Sequence, residues 1–338
     1  MKTTLFAMIC LAVALAYAKA DSAGLRPLTI SAPHHARALE GVMVYPGLDD
    51  GTAVAFGANP VFVGAAMRKG ATLADGPFPV VLLSHGLGGN IRTLSWLAAG
   101  LAERGALVAM VNHPNSTTGD FDMQAGLRHG TRAQDLSLVL DELLTDPDLA
   151  PMIDRTRIMA AGFSYGGWTA LSLGGLRGSL EGYRAHCKDV GQASSHCADI
   201  EAAGVSLTEL SAEVWDAAYG DARITHVAAI DPGPIWGLKP ANAAGLIGNV
   251  RLVSLGYAVT RLFATDIYAS GLRALLPEAE VTDLAPAAHF TALPPCTDIG
   301  AAILAEEGDE PVCTDPKGTD RRAIHAQIID VLAADLGL

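Results

Sequence analysis

The chain is short of cysteine and of positive charge, and beyond its first twenty residues it has no long hydrophobic run. Five cysteines occur in 338 residues. None falls in a C-x-x-C, and no H-x-x-x-H accompanies them, which argues against a zinc finger or ribbon. Lysine and arginine number 23 against 36 aspartates and glutamates. A chain so acidic presents no footprint for nucleic acid, nor for a substrate held mainly by its phosphates. No later segment approaches the ~20 apolar residues of a spanning helix, so the mature chain is expected to have no transmembrane segment. Internal repeats and low-complexity linkers are absent as well.

What is there begins with a leader. Lys2 supplies a short positive region, Leu5 to Ala18 is apolar, and Ala18-Lys19-Ala20 fits a small-x-small cleavage pattern. Residues 1–20 are thus expected to be a signal peptide cut after Ala20, and the mature protein to be secreted or periplasmic. Losing Cys10 leaves Cys187, Cys197, Cys296 and Cys313, an even number that allows three pairings. Neighbour pairing, Cys187–Cys197 and Cys296–Cys313, places each bridge within one expected loop. Half of the residues are apolar and 17% are charged, enough for a large buried core in a single domain over 21–338.

Short apolar strands alternate with helical segments. Strands are expected at 28–31, 42–45, 79–83, 106–111, 157–161, 224–230, 250–255 and 281–284. Helices are expected at 93–104, 132–144, from 165 to 173 and at 321–336. In the second of these, Asp135, Asp141 and Glu142 fall off the apolar face. Such alternation implies an α/β fold with a mostly parallel, doubly wound sheet and helices on both faces. In such sheets, ligands sit at the carboxyl ends of the strands. Three strands run straight into flexible or reactive residues, in "LLSHGLGG", "AAGFSYGG" and "AAIDPGP", and all three should open onto one edge. Residues 174–222 exceed any simple connection and are expected to form an insertion, with a possible role as a cap.

The stretch Met159–Trp168, "MAAGFSYGGW", places Ser164 among glycines between a strand and a helix, as a nucleophile elbow requires. A serine needs a base within hydrogen-bond reach. In the order nucleophile, acid, histidine, only His186, His196, His226, His289 and His325 follow Ser164. The first two lie in the insertion, the third in a strand and the last in the closing helix. His289, on a loop after the final strand, is the expected base. Asp231 ends a strand directly and is the preferred acid, and Asp266 is the alternative. The amides of Leu87 and Tyr165 are the expected oxyanion donors. His85 precedes Ser164 in the chain and is expected to be structural.

Together these residues resemble the α/β-hydrolase superfamily, and within it the branch of platelet-activating-factor acetylhydrolases and bacterial predicted dienelactone hydrolases. "PVVLLSHGLGG" is similar to that branch's oxyanion loop, "RAQDLSLVLDELL" before "RIMAAGFSYGG" is similar to its helix and elbow, and plant chlorophyllases carry a like "IDP". The likeness spans most of residues 28–293. Dienelactone hydrolases proper use a cysteine where this chain has Ser164, and many relatives have histidine where it has Phe163. The resemblance implies an α/β-hydrolase fold and a Ser-His-Asp serine esterase, acting on small-molecule or lipid esters through an acyl-enzyme. That chemistry calls for neither a metal nor an organic cofactor. A lipase or phospholipase A2-like activity, an amidase or peptidase, and a non-catalytic binding protein on a hydrolase scaffold are the alternatives.

Overall fold

The computed structural model describes residues 22–338. The expected leader and its cleavage point lie outside the described residues. Twelve strands occur among them: β1 (Ser22–Ile30), β2 (Leu39–Gly47), β3 (Thr52–Phe56), β4 (Ala65–Lys69), β5 (Phe78–Ser84), β6 (Leu107–Val111), β7 (Ser116–Thr117), β8 (Asp120–Phe121), β9 (Ile153–Phe163), β10 (His226–Ile230), β11 (Val250–Leu255) and β12 (Glu280–Leu284). Ten of them form one sheet in the order β12-β11-β10-β9-β5-β6-β2-β1-β4-β3, and β7 and β8 pair separately. The six strands from β12 to β6 run parallel. β2 then pairs antiparallel to β6 and to β1.

Continuous apolar runs make the inner parallel strands, because both faces of the sheet are covered there. Val80 and Leu82 of β5 join one core, and Val81 and Leu83 the other, as the two-residue period of a strand dictates. On the first face lie α3 (Gly130–Thr145) and α4 (Tyr165–Leu173), contributing Leu136, Val139, Trp168 and Leu171. On the second lie α1 (Ser95–Glu103) and the closing helix Arg321–Asp335, contributing Leu97, Leu101, Ile328 and Leu332. The doubly wound α/β expectation holds.

Two differences from the sequence reading are instructive. β3 and β4 were not expected, and both lie at the open edge of the sheet with mostly uncovered side chains. Their alanine-rich sequences, "TAVAF" and "AAMRK", carry too little apolar bulk to announce a strand. The second difference is a correction. Asp135 does not face solvent from α3 but is fully buried, with Arg132 beside it.

Residues 174–222 fold as three short helices, α5 (Leu180–Val190), α6 (Ser195–Ala202) and α7 (Ala212–Trp215). They have a small core of their own, in which Leu180, Tyr183, Ile200 and Trp215 pack on Leu127. Cys187–Cys197 ties α5 to α6, and Cys296–Cys313 closes the loop beyond β12. Both pairings are those expected.

Candidate active site

Strand register brings the three expected segments to one edge. Ser84 pairs beside Gly162, and Phe163 beside Ile230, so the ends of β5, β9 and β10 are level. Ser164 follows β9 at φ 56°, ψ −120°, a backbone that side-chain-bearing residues seldom adopt. The glycines around it are there for lack of room. A Cβ on Gly166 would run into the Ser84 carbonyl, and one on Gly162 into the carbonyls of Gly166 and Ser84. Elbow and β5 therefore touch backbone to backbone.

Asp231 follows β10, also at positive φ, 45°. Its Oδ1 accepts the Leu255 N–H at 2.8 Å, and its Oδ2 accepts the Thr265 hydroxyl at 3.2 Å and His289 Nδ1–H at 2.8 Å. With Nδ1 donating to a carboxylate, His289 Nε2 is left as an acceptor for the Ser164 hydroxyl, at 3.1 Å. All three side chains are buried. Ser164, His289 and Asp231 are thus brought together in a single relay. Asp266 is not part of it, because its carboxylate accepts the turn amides of Tyr268 and Ala269 at 2.9 and 3.2 Å. The Phe163 ring packs 4.5 Å from the His289 ring, so the residue before Ser164 supports His289.

The His289 loop is held from behind. His325 hydrogen-bonds the Thr291 carbonyl at 2.8 Å, and Trp96 donates to the Ala292 carbonyl at 2.9 Å, with the two rings stacked at 3.7 Å. Asp315 accepts the Thr291 hydroxyl at 2.7 Å and is paired with Arg321. None of these partners was legible in the sequence, nor was Thr265, since they meet only through the tertiary fold.

Tyr165 is the first residue of α4, so its N–H has no partner one turn back in the helix. In the loop after β5, Gly88 N–H goes to the Ser116 carbonyl and Gly89 N–H to that of Gly86. Among the described residues no carbonyl takes the Leu87 N–H. Two cavities flank Ser164, and Leu87 walls both. The larger, about 380 Å³, is lined by His289, Asn59, Asn90, Arg92, Phe290 and Val312, among others. The smaller, about 40 Å³, is walled by Tyr165, Met123 and the insertion's Tyr183, His196 and Ile200.

Behind the loop lies a buried polar network. Arg132 donates to Thr169 Oγ1 (3.0 Å), Ser116 Oγ (2.6 Å), Ser84 Oγ (3.1 Å) and the His85 carbonyl. Burial, without full compensation, lowers its guanidinium to a pKa of about 10. His85 donates from Nδ1 to the Gly86 carbonyl at 2.7 Å, and burial together with Arg132 holds it neutral. It stands in this network, as a structural residue should.

The comparisons bear out the resemblance. Residues 51–125, which include the loop after β5, match the family of platelet-activating factor acetylhydrolase, isoform II. A ferulic acid esterase from Streptomyces cinnamoneus superposes with a TM-score of 0.59 at 20% identity, over 93% of this chain and 88% of that one. A dienelactone hydrolase-like promiscuous phosphotriesterase from metagenomic libraries gives 0.52 at 16% identity, over 93% and 99%. No curated protein matches the sequence significantly. The chain has the α/β-hydrolase fold, and over residues 51–125 it carries the sequence pattern of the isoform II acetylhydrolases.

Proposed function

We propose that the chain is an exported serine hydrolase that cleaves short-acyl carboxylic esters. The observation that carries this reading is the Ser164–His289–Asp231 relay, at 3.1 and 2.8 Å, standing between two cavities. Ser164 Oγ attacks the ester carbonyl and passes its proton to His289 Nε2. Asp231 keeps the imidazole in the required tautomer and stabilises the imidazolium. The Leu87 and Tyr165 amides hold the oxyanion, aided by the positive end of α4. Collapse of the tetrahedral intermediate sends the proton from His289 to the leaving alkoxide, and water, activated by the same histidine, releases the acid.

The two cavities support a placement of the two halves of the substrate. The leaving oxygen must lie near His289, which lines the larger cavity but not the smaller. The alcohol therefore occupies the larger space, among Asn59, Asn90 and Arg92, and the acyl group the smaller. A space of about 40 Å³, a small fraction of the larger cavity's 380 Å³, suits a short acyl group. The matched family's name, an acetylhydrolase, accords with that size. Export is supported by the leader pattern and the two disulfides. The insertion 174–222 serves as a cap that walls the acyl side.

The test is labelling of the mature protein by a fluorophosphonate beside Ser164→Ala, with turnover of p-nitrophenyl esters of two to twelve carbons. Labelling that needs Ser164, with kcat/KM falling steeply beyond four carbons, is the expected result. A preference for the long chains would make it a lipase. Neither labelling nor turnover would make it a binding protein on a hydrolase scaffold.

A further inference from the structure

We propose that His34, His35 and Asp135 form a binding site for a divalent transition-metal ion of the zinc type, outside the catalytic relay. The Nε2 atoms of His34 and His35 lie 2.7 and 2.9 Å from one and the same carboxylate oxygen, Oδ1 of Asp135. One ligating atom from each residue falls within 4.8 Å of the others. Two imidazole nitrogens and a carboxylate oxygen are a donor set that zinc accepts, at about 2.0–2.2 Å from the metal. In a tetrahedral shell of that size, ligand atoms stand roughly 3.3 Å apart. To admit the ion, each imidazole nitrogen would withdraw about 0.4–0.6 Å from Oδ1, and the two nitrogens, which like all three atoms lie within 4.8 Å of one another, would settle at the same spacing.

The surroundings are those of a built site. Asp135 comes from the middle of α3 with its carboxylate fully enclosed, and the two histidines come from the turn between β1 and β2. The His35 side chain is 8% exposed and that of His34 23%, so the protein closes one side and leaves a position toward solvent for a fourth ligand. Oδ2 of Asp135 accepts His113 Nδ1–H at 2.7 Å. That bond orients the carboxylate from outside, as a metal-ligating carboxylate requires. His113 continues through Nε2 to Ser84 Oγ at 3.0 Å, at the end of β5 where the Leu87 loop begins. The ion would clamp the β1–β2 turn to α3 and brace that loop from behind, with no contact with Ser164. A 100-residue gap between the adjacent histidines and the aspartate explains why no metal spacing shows in the sequence.

Titration of tag-free, EDTA-stripped mature protein with Zn2+, followed by calorimetry, tests this. One Zn2+ per chain is expected, at micromolar affinity or tighter. His34→Ala and His35→Ala should each weaken it by at least about tenfold, and Zn2+ should raise the melting temperature of wild type but not of the double variant. Co2+ should give the visible absorption of a four-coordinate site in wild type alone. His289→Ala, which alters the relay histidine, should leave binding unchanged. No binding, or binding that survives loss of both histidines or vanishes with His289→Ala, would overturn the assignment.

Discussion

Ser164 and Asp231 share a backbone property that separates them from their neighbours: each bears a side chain at positive φ, immediately after a strand. Such strain persists only where surrounding contacts over-determine it, here the amide of Leu255 and the backbone contact of Gly166 with β5. Ser164→Ala should abolish ester turnover while leaving the melting temperature within a few degrees. Asp231→Asn should lower kcat by about 10³–10⁴-fold through the wrong histidine tautomer, and Asp266→Asn by no more than about threefold. Parallel kcat measurements on the two variants decide which carboxylate serves the relay. Gly166→Ala should be recovered poorly or melt well below wild type, since its Cβ meets a main-chain carbonyl that has nowhere to go. At this scale the sequence disclosed what chain order and strand ends encode: Ser164, Asp231 and His289. It concealed Asp135, because a helical period sorts residues by apolar neighbours and cannot foresee a carboxylate buried among three histidines.

On the proposed reading the insertion walls the acyl side, and selectivity is expected to depend on it. Cys187 and Cys197 each follow a histidine, His186 and His196. His186 stacks on Trp236 at 4.1 Å, while His196 walls the small cavity. The bridge thus fixes α6 against α5 and, with it, the His196 wall of the smaller cavity. Replacing both cysteines by serine removes a short-loop constraint worth about 2–3 kcal/mol. It should raise the octanoate-to-acetate ratio of kcat/KM at least severalfold while leaving fluorophosphonate labelling intact. His196→Ala should shift the ratio in the same direction with both disulfides present. A ratio unchanged in both variants would place the acyl group elsewhere. The central strands were legible because covered strands are continuous apolar runs. The outer pair β3–β4 was not, because an edge half in water has no such signature.

The whole molecule buries more neutral imidazole than its relay uses. Burial lowers His113, His129 and His325 to pKa values of about 4. In the unfolded chain these groups take up protons near 6.5. Between about pH 6.5 and 4 the unfolded state therefore binds more protons, and stability falls as pH falls. Asp135 extends the same trend below about pH 4: burial opposes its ionisation, but hydrogen bonds from His113, His34 and His35 prevail and hold it well below the usual range. The unfolding free energy from urea titration should be highest at or above neutrality and drop steeply toward pH 4, by an amount on the order of several kcal/mol. A flat profile across that window would show these histidines to be hydrated. Both disulfides, finally, lie outside the sheet: Cys197 follows His196 of the smaller cavity, and Cys313 follows Val312 of the larger. A copy made in a reducing cytosol would still lay down its strands and assemble the nucleophile, yet its substrate mould would be slack. On the proposed function, where the chain is made would govern how discriminating it becomes, while leaving what it can cut chemically untouched.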